Sequence, residues 1–164
     1  MVPVGDGHRS AHRRGHWLAH GRGHWLARGR GHRLVPHTAD VIVEAWGPDV
    51  VACAEEAAAG LVSVYAVPGR AAVVGRHRAR LVAIEPEALV LGVADEVIFA
   101  LDTADGVPVR VEVVPAAGGY DVTVLLADRA SIEPAGSVPK AVSRSELEVR
   151  ARRAGVWCRF IVDV

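Results

Sequence analysis

The hydrophobic period of this chain changes once, near Gly106, and that change limits the fold more than any single motif. Upstream, Val50, Cys53, Ala57, Leu61, Val64 and Tyr65 recur at helical spacing and predict a helix over residues 50–66. Asp49 is placed to cap it after the turn Gly47-Pro48-Asp49, and Val67-Pro68-Gly69 ends it. Pro86-Glu87 opens a second helix in which Leu89, Val93, Val97, Ala100 and Leu101 share a face. Beyond Gly106 the period is two, with strands expected at 107–114, 120–127, 140–143, 147–152 and 156–164. Residues 41–46 and 76–85 add two more. The fold class that follows is α+β, two helices packed on a mostly antiparallel sheet of about six or more strands. The run Trp157-Cys158-Arg159-Phe160-Ile161-Val162 is apolar enough to be central in that sheet, which would hold Asp163 and Val164 in place.

At 164 residues the chain fits one domain with a real core. Its formal net charge of zero conceals a split: residues 1–37 carry seven Arg against Asp6, about +6, and residues 38–164 are about −6. The ordered part is therefore a poor candidate for gripping a phosphate backbone by itself. Residues 14–37 read as three eight-residue units, RGHWLAHG, RGHWLARG and RGHRLVPH. His-rich tracts bind metals and Arg with Trp can stack on bases. Near-identity of adjacent units fits better with a recent tandem duplication or a start annotated too far upstream. Residues 1–30 are expected to be a disordered His/Arg/Gly-rich extension, and 31–164 the folded domain.

Cys53 and Cys158 lack metal-ligand spacing and read as small core residues. No apolar run is long enough to span a bilayer, and the Arg- and His-rich start is unlike a signal peptide, so a cytoplasmic location is expected. No P-loop, GxSxG elbow, HExxH helix or EF-hand loop is present. Glu55-Glu56 is read as the solvated side of the first helix. Arg76-His77-Arg78-Ala79-Arg80 is read as a solvent-facing edge strand, with RNA contact as the alternative and no aromatic residue interleaved to support it.

Lys140 is the only Lys beside eighteen Arg, which suggests a position where a compact ammonium is needed rather than a planar fork. Asp40, in His37-Thr38-Ala39-Asp40, leads into the first strand, and Asp163 and Val164 end the last. If those strands lie side by side, two carboxylates and the terminal carboxylate form an oxygen cluster suited to a hard cation such as calcium. A lone Asp at a strand end is more often a turn residue or cap.

Three segments together resemble the archease family: GHRLVPHTADVIVEAWGPDVVACAEEAAAGLVSVY, KAVSRSELEV and the ending FIVDV. The likeness covers roughly residues 31–164. It implies a small α+β protein that is not a ligase itself but a partner of the RtcB-type tRNA-splicing ligase, promoting its guanylylation and multiple turnover in tRNA splicing. RNA would be reached only indirectly, through the ligase. The family's metal site maps onto Asp40, Asp163 and Val164, the last through its terminal carboxylate, with a divalent ion, usually assigned as calcium. Its functional Lys maps onto Lys140, and His37 stands beside it as a partner- or phosphate-facing residue. Ser143-Arg144-Ser145 departs from the family's usual Thr-Tyr-His or Thr-Tyr-Ser, and Pro139 replaces an aliphatic residue. Two rival readings stay open: a chaperone-like binding module of RNA processing, and a metal-dependent hydrolase using Asp40 and Asp163 with His37 as base.

Overall fold

The computed structural model describes residues 29–37 and 40–164. The element order is β1 (Gly31–Pro36), β2 (Val41–Gly47), α1 (Val50–Tyr65), β3 (Ala66–Val67), β4 (Val73–Leu81), α2 (Pro86–Thr103), β5 (Val107–Ala116), β6 (Gly119–Ala127), β7 (Glu133–Pro134), β8 (Ala141–Val142), β9 (Glu148–Arg152) and β10 (Gly155–Asp163). All strand pairs are antiparallel, which suits period-two stretches that bury one face. They divide into a main sheet, β1-β2-β10-β8 with β9 also on β10, a second sheet β4-β6-β5, and the short pair β3-β7. The last strand is central, as its apolar run predicts: β10 lies between β2 on one side and β8 and β9 on the other.

The two helices fill the space between the sheets. α1 packs on the inner faces of β2 and β10 and also against β5, while α2 packs on α1 and under the second sheet. Asp49 caps α1 as expected, accepting from the Ala52 N–H at 2.8 Å. Gly60, in the middle of α1, lies where a Cβ would come within 2.6 Å of Val43 Cγ1. A larger residue there would push the helix off β2, which explains a glycine in a position that otherwise favours alanine. Phe160, Val43, Leu61, Cys53 and Cys158 are all fully buried in this layer. Tyr65 donates from its hydroxyl to the Pro108 carbonyl at 3.0 Å and ties the end of α1 to β5; burial pushes its phenol above its ordinary pKa.

Several sequence expectations need correction. β1 was not anticipated as a strand, because its Arg-Gly-His opening copies the upstream repeat and hides the alternation. The repeat units before Gly29 lie outside the described residues. Arg30, expected in the disordered extension, makes ion pairs with Glu55 at 3.1 Å and Glu56 at 2.7 Å. His32 Nδ1 is 2.8 Å from Glu56, and Glu55 accepts from the Val113 N–H at 3.0 Å. Glu55 and Glu56 therefore face β1 and β5 and are mostly buried, not solvated. Burial alone would raise the Glu56 pKa; the hydrogen bonds from His32 and Arg30 outweigh it and hold the carboxyl below its usual value.

The strand expected over 76–85 begins earlier, at Val73, and stops at Leu81. Its partner β6 runs out there: Leu81 pairs with Tyr120, and the next residues form the Ala117-Gly118 turn, where Gly118 takes φ +73°. In the continuous apolar run that follows, Val82 and Ile84 have no strand to pair with and stand exposed, while Ala83 is buried. His77 is turned inward, 2.6 Å from Glu96 on α2 with its ring against Phe99, so within the basic run only the Arg positions face solvent. Among the described residues no helix is long and apolar enough to cross a membrane.

Candidate functional site

Register decides which side chains meet at the ends of the main sheet. Arg33 pairs with Glu44 and Glu44 with Arg159; two residues on, Val35 pairs with Ile42 and Ile42 with Ile161. Directly opposed residues of antiparallel strands share a face. The same outer face carries a charged row, Arg33–Glu44–Arg159, and then an apolar row. One residue past the last pairs, Pro36–Val41 and Val41–Val162, the chain reaches His37, Asp40 and Asp163 at the same end of the three strands. Three residues called from separate parts of the sequence are thereby brought to one end of one sheet face.

Local bonds hold them there. Asp40 closes the β1–β2 hairpin: the His37 N–H donates to the Asp40 carbonyl at 3.2 Å, and His37 Nδ1 stands 3.8 Å from Asp40 Oδ2, an ion-pair contact too long for a hydrogen bond. Thr38 and Ala39 lie outside the described residues. Lys140 arrives from the other side. Its N–H donates to the Asp163 carbonyl at 2.8 Å, and Ala141 pairs with Asp163. Pro139 is buried, so the residue that departs from the aliphatic pattern fills an inside position and leaves the Lys140 side chain exposed. Asp163 is also exposed, whereas the Val164 side chain packs against the core and fixes the main chain at that point.

All five expected site residues, Asp40, Asp163, Val164, Lys140 and His37, thus lie at the same tip. Of the strand expected over 140–143 only Ala141–Val142 pairs, because Ser143 turns the chain into a short helical turn over Arg144–Glu146. Arg144 reaches 3.4 Å to Asp95 on α2. Burial raises the Asp95 pKa, with Glu96 adding to the shift and Arg144 opposing it. Arg144 of the Ser143-Arg144-Ser145 segment thus contacts α2.

The donor chemistry at the tip is oxygen only in its acidic part: two side-chain carboxylates and the main-chain oxygens of Val164. That suits a hard cation in kind. Among the described residues no three His, Cys, Asp or Glu side chains gather closely enough to hold a metal ion. The tip can thus supply part of the six to eight oxygens that calcium takes, not a closed shell. Two concave regions lie away from it. One, of about 180 Å³, is lined by Tyr65, Leu101, Arg129, Ile132 and Val138; the other, of about 340 Å³, borders the Arg30–Glu55–Glu56 network.

Cross-strand charge pairs such as Arg33–Glu44 were missed in the sequence reading because β1 was missed. Their signal was the alternation of Arg33, Val35 and His37 once the repeat is set aside.

Comparison with known proteins agrees with this architecture. The archease protein family model matches residues 32–164. Two Mycobacterium tuberculosis proteins, from strains CDC 1551 and H37Rv and each named "Probable protein archease", are 39% identical over 132 residues, covering 80% of this chain and 74% of theirs. The solution structure of Methanobacterium thermoautotrophicum protein 1598 superposes with a TM-score of 0.65 at 20% identity, over 82% of this chain and 99% of that one. The crystal structure of an archease, "possible chaperone", from Thermotoga maritima gives 0.59 at 18%, over 80% and 96%. The two structures share the fold, the family model spans the whole described domain from His32 onward, and this chain belongs to the archease family.

Proposed function

We propose that the chain is a non-enzymatic accessory protein that activates an RtcB-type tRNA-splicing ligase through its acidic tip. The observation that carries this reading is that His37, Asp40 and Asp163 directly follow or precede the last paired residues at one end of three adjacent strands, with Lys140 bonded to the Asp163 main chain. A catalytic site of its own would call for a concave, water-excluding arrangement. The tip instead presents an exposed Asp163 beside a half-buried Asp40 at a sheet end, a shape that can enter the cleft of a partner.

A divalent cation, calcium in the first instance, would be held by Asp40, Asp163 and the main-chain oxygens of Val164. When bound it would supply positive charge for phosphate oxygens. The incomplete oxygen set favours a cation whose remaining ligands come from water or from the ligase and its nucleotide. Lys140 extends from the same end and would offset phosphate charge. His37, 3.8 Å from Asp40, stands beside that carboxylate at the same end of the sheet. The main-chain bonds to Asp163 fix its position before any partner arrives, so little ordering is left for the encounter.

The test is guanylylation of the ligase from the same organism. Wild type should raise the guanylylated fraction, and Asp163→Ala should leave it at the level of ligase alone. Equal stimulation by both proteins would contradict the reading. The Thermotoga protein, described as a possible chaperone, supports a second reading, a chaperone-like module; ligase binding that survives Asp163→Ala without any stimulation by wild type would favour it.

A further inference from the structure

The outer face of the second sheet carries a row of arginines that nothing in the tip reading uses. In β4 the residues alternate in exposure, and Arg76, Arg78 and Arg80 all stand on the solvent side while His77 and Ala79 turn inward. Opposite them in register are Leu125, Thr123 and Asp121 of β6, and beyond those Arg110, Glu112 and Val114 of β5. Arg80 is answered by Asp121 at 2.7 Å, and Arg110 by Glu112 at 3.4 Å. Among the described residues the side chains of Arg76 and Arg78 have no hydrogen-bond or ion-pair partner. Four Arg against two acids leave this face positive, although residues 38–164 as a whole carry about six more acidic than basic residues.

We infer that this face of β4 binds the sugar-phosphate backbone of single-stranded RNA. This goes beyond the indirect contact expected from the family resemblance, and it does not rest on the ligase reading, because the surface belongs to a different sheet. Same-face residues of a strand recur every ~6.8 Å, so Arg76, Arg78 and Arg80 form a linear series of cations. An extended phosphate backbone offers charges in series; a single carboxylate on a protein partner would engage only one. Arginine's planar fork matches phosphate oxygens two at a time. No aromatic side chain shares the face, so bases have no stacking platform and the contact is to the backbone, indifferent to sequence. Exposed Val82 and Ile84 extend the line past the strand end and offer apolar contact to riboses or base edges. The bland reading is edge protection, since β4 has a free edge and charge there discourages strand pairing between molecules.

The experiment is binding of a fluorescent unstructured RNA to the full chain across a salt series, without ligase. Wild type is compared with Arg76→Gln/Arg78→Gln, with Arg76→Lys/Arg78→Lys, and with Arg152→Gln/Arg153→Gln as a charge-matched change elsewhere. The basic N-terminal residues contribute the same background to every variant. Losing two phosphate contacts should make the slope of log affinity against log salt shallower by about 1.4, at about 0.7 per phosphate in a single strand. The Lys pair should keep the slope, the Arg152/Arg153 pair should match wild type, and Asp163→Ala should bind RNA normally. Equal losses from both Gln pairs would overturn the proposal, as would unchanged binding accompanied by self-association of Arg76→Gln/Arg78→Gln. Neither result bears on the guanylylation test.

Discussion

The outer faces of the two larger sheets treat charge in opposite ways. On the main sheet Arg33, Glu44 and Arg159 answer one another across three strands, Arg33 with an ion pair and Arg159 at 4.0 Å. Farther toward one edge, Arg150 pairs with Glu148 and lies over the Trp157 ring, 5.9 Å from its centroid. Arg33, Arg150 and Arg159 each have an acid within ion-pair distance on this face, and among the described residues its carboxylates without a basic side chain bonded to them lie at its end, at Asp40 and Asp163. On the second sheet the excess is positive and sits mid-strand, at Arg76 and Arg78. Balanced rows consolidate strands locally, each pair contributing little because it is exposed. Unbalanced positions are the ones available to a partner, and the two faces offer opposite signs.

The comparison can be broken from beneath, because both faces rest on one core. Phe160 is fully buried under the main sheet, and Phe160→Ala should cost about 3–5 kcal/mol in denaturant unfolding. Ligase stimulation and RNA binding should then fall together, and only as far as the folded fraction falls. Loss of one with the other intact at full folding would mean that the faces do not share a foundation.

A smaller effect should come from Glu56, whose carboxyl joins β1, and hence the hairpin bearing Asp40, to α1. Glu56→Gln should cost about 1–2 kcal/mol at neutral pH, the range of a charge-assisted hydrogen bond that is partly exposed. Because its folded pKa is lowered, the stabilisation is present above the ordinary unfolded value and is lost as pH falls through the folded pKa. Wild type and variant should therefore converge in thermal midpoint under acid conditions. A gap that persists there would assign the effect to packing. Smallest is Asp49→Ala, expected to cost about 1 kcal/mol by removing the α1 cap while leaving both faces and both activities unchanged.

What was legible in the sequence depended on period and punctuation. α1, α2, β5, β6 and β10 were readable because uninterrupted apolar spacing and turn residues mark them, and the central place of β10 followed from its continuous apolar run. β1 was not, since its Arg-Gly-His start belongs to a repeat and its strand character appears only against β2. Glu55-Glu56 was misread for the same reason: two adjacent acids look solvated until the strand that pairs with them is known. The five tip residues were chosen chiefly from the family resemblance; what the fold adds is their common address, set by the register Val162 to Val41. The inward turn of His77 could not be read from a segment whose every second residue is Arg, because alternation alone does not say which face is covered.

The acidic tip is tested most directly by RNA joining with the ligase limiting, counting RNA ends joined per ligase molecule. Wild type should carry each ligase through many rounds. Asp163→Ala, folded to the same thermal midpoint and binding RNA as wild type does, should leave joining where it stands with ligase alone. Many rounds with Asp163→Ala, or none with wild type beside an active ligase, would contradict a role for the tip in ligase activation.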